Sequence, residues 1–226
     1  MKLLIDDANL SIIKRLFDLF PIDGVTTNPS ILSKTLRKPY DVLYELRDYL
    51  GPDGELHVQV ISCAAQEMIR EAEYIRNRVG ESTFIKIPAV PEGIKAIKEL
   101  SKRGYRTTAT AVYTPMQAFM AAKAGADYVA PYVNRIDNLG GNGVEVVTKI
   151  LQILQSNHFK TKVLAASFKN VQQVESLCRL GVHASTVAPL VMEAFLQNAS
   201  VEEAVKNFAS DFESLCGAGH TMLNIN

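Results

Sequence analysis

Short apolar runs alternate with longer amphipathic stretches from one end of the chain to the other. The runs begin near Lys2 (KLLID), Gly24 (GVTTN), Leu56 (LHVQVI), Thr83 (TFIKIP), Thr107 (TTAT), Asp127 (DYVAPY), Lys162 (KVLAAS) and His183 (HASTVA). Between them lie segments such as Ala64–Val79 and Glu92–Arg103, with apolar residues at helical spacing and charges elsewhere. Gly80, Gly104, Gly125 and Gly181 fall where helices would stop before the next run. Eight such strand–helix units predict parallel pairing, and closing the sheet on itself removes both edges. An open, doubly wound sheet shows the same alternation. No GxGxxG follows the first run, however, and no P-loop motif occurs, so a single (βα)8 TIM barrel spanning residues 1–226 is the favoured α/β architecture. The stretch from Ser200 to Cys216 reads as one further amphipathic helix. The sequence leaves open whether it caps the barrel or docks on a neighbouring subunit.

Alternation within the runs separates two faces. Leu3 and Ile5 oppose Leu4 and Asp6; Val58 and Val60 oppose His57, Gln59 and Ile61; Ile85 and Ile87 oppose Phe84 and Lys86. In the seventh run Leu164 and Ala166 oppose Val163, Ala165 and Ser167. One face is mostly aliphatic and suits packing under helices. The other carries a polar group near its C-terminal half: Asp6, Thr26, Asn28, Gln59, Lys86, Thr110, Tyr132 and Ser167. Pointing inward, these groups converge at the mouth where barrel enzymes hold their active sites. Each has an ordinary structural alternative. Asp6 could cap a helix, Asn28 could build the turn before Pro29, and Gln59 could satisfy a buried backbone group.

Lys86 weighs most in this set. Lysine is rarely buried without a partner, yet this one stands between Ile85 and Ile87. Desolvation disfavours the ammonium and supplies free amine, the form that attacks a ketone to give a Schiff base. The competing reading is a buried ion pair with Asp6 or another acid.

Composition narrows the partner. The 226 residues contain 24 basic and 24 acidic side chains, for a formal net charge of zero, and 47% are hydrophobic. Neither a basic field for nucleic acid nor a polybasic run for a membrane is present, so a small molecule is expected. Asp6 and Asp7 interrupt the apolar start, and no apolar run approaches the roughly 20 residues that span a bilayer. Cys63, Cys178 and Cys216 are scattered, without metal-type pairing, and read as reduced thiols of a cytoplasmic protein.

Five segments carry a family resemblance: GVTTNPS (Gly24–Ser30), FIKIP (Phe84–Pro88), TAVYTPMQA (Thr110–Ala118), APYVNRID (Ala130–Asp137) and VLAASFK (Val163–Lys169). From Lys2 to about Phe212 the chain resembles the small transaldolases, which include the fructose-6-phosphate aldolases. The resemblance implies a Schiff-base enzyme with Lys86 as nucleophile, and needs no cofactor or metal. Transaldolases proper usually carry glutamate where this chain has Gln59, phenylalanine where it has Tyr132, and commonly asparagine where it has Thr108. Gln59, Tyr132 and the APYVNR run look like the aldolase subgroup. In that subgroup Tyr132 would act through a water held by Gln59 and Thr110. Asp6, Thr26 and Asn28 would orient substrate, and Arg135 and Ser167 would hold its phosphate. The alternatives are a transaldolase of the pentose phosphate pathway type and a barrel that only binds sugar phosphate. Resemblance further implies a homo-oligomer, a decamer of two pentamers, whose C-terminal helix crosses to a neighbour. Two departures stand out: Asp7 replaces a usual threonine, and AST-VAP (Ala184–Pro189) replaces the usual ITLP run.

Overall fold

In a computed structural model describing residues 1–225, the chain alternates strand and helix throughout. The order is β1 (Lys2–Asp6), α1 (Leu10–Leu19), β2 (Gly24–Thr26), α2 (Pro29–Ser33), α3 (Pro39–Leu50), β3 (Glu55–Gln59), α4 (Ala65–Val79) and β4 (Phe84–Pro88). It continues with α5 (Pro91–Lys102), β5 (Thr107–Val112), α6 (Pro115–Lys123), β6 (Tyr128–Pro131), α7 (Val133–Asn138), α8 (Gly143–Ser156) and β7 (Lys162–Ala165). It ends with α9 (Val171–Arg179), β8 (Ala184–Val187), α10 (Pro189–Glu193) and α11 (Ala199–Cys216). Each strand pairs in parallel with the next, and β8 pairs with β1 to close the barrel. All eight predicted runs are strands of this barrel, which lies within Met1–Met192. A second compact unit begins at Glu193 and contains α11. No helix among the described residues is long and apolar enough to cross a membrane.

Local chemistry sets the helix starts. Proline occupies the first turn of α2, α3, α5 and α6, where its missing N–H costs no hydrogen bond. Thr114 and Gln117 form a reciprocal capping box on α6. Gly80 ends α4 at φ 124°, as the sequence predicts. Gly24 is required by packing, since a Cβ there would meet the Glu55 carbonyl oxygen at 2.2 Å.

The aliphatic face packs outward, with Ile5, Val58, Ile85 and Ile87 buried under the helices. The barrel interior is filled by Leu4, Phe84, Tyr128, Leu164 and Ala184, five strands contributing one side chain each. This corrects the expected parity of β7. Leu164, rather than Val163 and Ala165, faces the interior, so alternation does not carry Ser167 inward. Ser167 instead lies beyond the strand at φ 62°, in a left-handed turn that redirects the chain. Ile61, expected on the polar inner face, also lies past its strand and is 74% exposed.

Candidate active site

Hydrogen bonds, charges and strand register bring Asp6, Thr26, Gln59, Lys86, Thr110, Tyr132 and Arg135 together toward the C-terminal ends of the strands. Lys86, in the middle of β4, is buried, with only 4% of its surface exposed. Its Nζ donates to the Thr27 carbonyl oxygen at 2.8 Å, so its bonded partner is a backbone acceptor and not a carboxylate. Burial lowers its pKa below the ordinary lysine value, with the charge of Asp6 opposing. Burial raises the pKa of Asp6 in turn, against the opposing effects of Lys86 and a Thr26 hydrogen bond. Both shifts favour neutral groups at the mouth.

Asp6 does not cap a helix. Its Oδ1 accepts from Thr26 Oγ1 at 2.7 Å, and the Thr26 hydroxyl also lies 2.7 Å from that of Thr186 on β8. Asp7 turns away from this chain, its Oδ1 accepting from the amides of Ala8 and Asn9. Asn28 is the N-cap of α2 and does not merely build a turn before Pro29, its Oδ1 accepting from the Ile31 amide at 3.0 Å. That bond leaves the Nδ2 amide as a donor.

On the opposite side, the Thr110 hydroxyl and the Tyr132 phenol are 2.9 Å apart. A bulge in β5 between Ala109 and Val112, with Ala111 at φ 54°, accompanies this pairing. Tyr132 lies just after β6 and is bridged to Ala166. Burial raises its pKa, while Thr110 and Arg135 act in the opposite direction. The Arg135 guanidinium, on α7, stacks 4.7 Å from the Tyr132 ring centroid. The Ser167 carbonyl accepts from the Asn134 amide at 2.8 Å, placing the turn after β7 against the start of α7. Gln59 Oε1 is buried without a hydrogen-bond partner among the described residues, so it does not satisfy a backbone group. Two clefts touch single members of this set, and neither is lined by Lys86, Thr110 or Tyr132. One of about 670 Å³ is lined by Asp6, Asn9, Lys34 and Ala188, and the other, of about 590 Å³, by Gln59, Leu32, Tyr40 and Tyr74.

Thr27 and Thr186 escaped the sequence reading. Thr27 contributes a backbone oxygen, which no side-chain pattern advertises. Thr186 follows the parity of β8, since Leu4 pairs with Thr186 as Lys2 pairs with Ala184. No cluster of His, Cys, Asp and Glu suited to a metal occurs among the described residues.

A closed parallel barrel with one buried lysine among hydroxyls and a carboxylate defines a candidate active site for covalent chemistry on a small polar substrate. The chain matches the model of the "Transaldolase/Fructose-6-phosphate aldolase" family over residues 3–224 and belongs to that family. It is therefore an enzyme of the aldolase/transaldolase kind. It is also 38% identical, over 94% of its length and 96% of the relative's, to a "Probable fructose-6-phosphate aldolase" of Streptococcus pneumoniae.

Proposed function

We propose that the protein is a fructose-6-phosphate aldolase working through a Schiff base on Lys86. The burial of Lys86, with its Nζ held on a carbonyl rather than a carboxylate, carries this reading. The amine attacks C2 of fructose 6-phosphate, and loss of water leaves an iminium. As the C4 hydroxyl gives up its proton, the C3–C4 bond breaks and its electrons flow into an enamine. Glyceraldehyde 3-phosphate departs. Protonation at C3 and addition of water to the iminium then release dihydroxyacetone and free Lys86.

The surroundings suit each step. Tyr132 keeps its proton at neutral pH, so it works as a relay that takes one proton as it passes another. The open acceptor of Gln59 and the hydroxyl of Thr110 hold the water through which it acts. Asp6, Thr26 and the amide of Asn28 orient substrate hydroxyls, while Arg135 and Ser167 take the phosphate. Free Cys63, Cys178 and Cys216 suit a reducing cytoplasm. Val201, Val205, Phe208 and Leu215 are exposed along one side of α11, which fits a homo-oligomer, a decamer of two pentamers.

The test is incubation with fructose 6-phosphate alone, following free glyceraldehyde 3-phosphate, beside a Lys86→Ala control and a sample containing erythrose 4-phosphate. Release without acceptor, lost in the control, supports the aldolase. Release only with erythrose 4-phosphate makes the enzyme a transaldolase and overturns the reading of Gln59 and Tyr132.

A further inference from the structure

Beneath Lys86 lies a second set of buried polar groups that the reaction above does not use. His57 on β3 is fully buried and stacked on Phe84 at 4.5 Å. Its Nε2 lies 3.4 Å from Glu55 Oε2, and its Nδ1 lies 2.9 Å from Thr108 Oγ1. Glu55 is further held by Lys2 and by the Tyr128 hydroxyl at 3.2 Å. Carboxylate, imidazole and hydroxyl thus form a series inside the barrel, too deep for any of them to be a nucleophile.

The strand register gives the series a direction. Glu55 precedes His57 on β3, toward the N-terminal end of the barrel. Thr108 pairs with Lys86 across β4 and β5, one layer nearer the mouth than the His57–Phe84 pair. An ionised carboxylate only accepts, so Nε2 carries the ring proton and Nδ1 accepts from Thr108. The negative end of the imidazole dipole therefore points toward the lysine layer.

We propose that His57 is a positioning residue for the Lys86 reaction, held between Glu55 and Thr108 so that its ring dipole favours the cationic iminium. The inference rests on Lys86 being the Schiff-base nucleophile. The charged and titratable groups facing the ring are Glu55 on its own strand, Lys2 from β1, Lys86 from β4 and Tyr128 from β6. Burial, followed by the opposing effect of Glu55, brings His57 down to about 4, so no second cation competes with the iminium at neutral pH. A neutral, oriented dipole in a dry interior acts without reorganising during the reaction.

The experiment traps dihydroxyacetone on Lys86 with borohydride across pH, in wild type, His57→Phe, His57→Gln and Thr108→Val, together with steady-state kinetics. In His57→Phe the turnover is expected to fall about tenfold with little change in KM, and the pH midpoint of trapping to move downward. His57→Gln, which retains a donor and an acceptor, should recover part of both. Nitrogen NMR of wild type should show a single Nε2–H tautomer from about pH 5 to 9. Should His57→Phe not fold, that tautomer and the near-isosteric Thr108→Val, expected to show the same downward shift, decide the matter. Folded variants with wild-type turnover and midpoint, or an Nδ1–H tautomer, would overturn the inference while leaving the aldolase reading intact. A wild type that traps no dihydroxyacetone overturns the Lys86 reading and this inference with it.

Discussion

The Lys86 Nζ and the Thr27 carbonyl oxygen sit 2.8 Å apart, a contact that orients the amine without pairing it to a charge. A lysine kept this way carries a standing cost, because burial lowers its pKa from the ordinary 10.5. The unfolded chain binds the proton more readily between the lowered value and 10.5, so this site loses stability as pH falls through that window. Lys86→Met is expected to abolish borohydride trapping yet to stabilise the fold by roughly 1–3 kcal/mol at neutral pH. The gain should shrink as pH approaches 10.5, which urea unfolding at fixed protein concentration will read. A variant less stable than wild type at pH 7 would show that Lys86 is a structural partner instead.

Tyr132 meets Thr110 at 2.9 Å and carries Arg135 over its ring. Removing the phenol oxygen takes away the proton relay while leaving the aromatic packing against Tyr113 in place. Tyr132→Phe should lower turnover by about 100-fold with the adduct on Lys86 still forming. Intact mass after borohydride, beside the cleavage rate, separates the two steps. Loss of the adduct itself would move Tyr132 from bond cleavage to imine formation.

Arg135 lies exposed on α7 and tests the phosphate assignment separately. Arg135→Ala should raise KM for fructose 6-phosphate about tenfold or more, and leave cleavage of unphosphorylated fructose nearly unchanged. Equal losses on both substrates would assign Arg135 to Tyr132 through the stacked ring rather than to the phosphate.

Much of this site was legible because strand alternation and barrel geometry do the same work everywhere. Asp6, Gln59 and Lys86 follow from parity alone, each on a face of its run opposite aliphatic neighbours. Parity misreads β7 because its inner face carries Leu164 and the strand ends at Ala165, so the turn with positive φ at Ser167, and not alternation, sets where that side chain goes. Asn28 shows another limit, since the Oδ1 of this side chain before proline is taken by the helix cap. Thr27 acts through its carbonyl, and His57 through a tautomer fixed by Glu55. Glu55 and His57 share a face of β3, but the Thr27 contact with Lys86 and the Thr108 contact with His57 exist only once the strands are in register.

The Glu55–His57 pair makes the fold acid-sensitive. Burial alone would raise Glu55, but hydrogen bonds from His57 and Lys2 bring it down to about 2. Its contribution is complete above its ordinary 4.5 and is lost as pH falls toward 2. His57, down to about 4 from 6.5, adds a loss that begins as pH falls below 6.5. The raised Asp6 acts in the opposite sense and offsets part of this. Taken singly, each group is expected to cost roughly 3 kcal/mol on acidification, with the urea midpoint already falling between pH 6.5 and 4. His57→Gln cannot titrate, so its midpoint should hold until about pH 4.5. Parallel curves for the two proteins would show that His57 does not titrate with unfolding.

Gln59 offers the sharpest contrast between cleavage and transfer. Its Oε1 is buried with no partner among the described residues, and a buried acceptor of this kind calls for a water. Since the transaldolases proper usually carry glutamate and phenylalanine at these positions, Gln59→Glu with Tyr132→Phe removes the relay and changes how that water is held. The enamine on Lys86 should then wait for an aldehyde rather than be protonated and hydrolysed. The double variant is expected to release little glyceraldehyde 3-phosphate from fructose 6-phosphate alone, and to recover release when erythrose 4-phosphate is added. Product analysis for sedoheptulose 7-phosphate measures the transfer directly. If the acceptor restores nothing and Lys86 still forms its adduct, the choice between water and aldehyde is made elsewhere, and the first places to look are Asp6 and Thr26, whose 2.7 Å hydrogen bond closes the other side of the mouth.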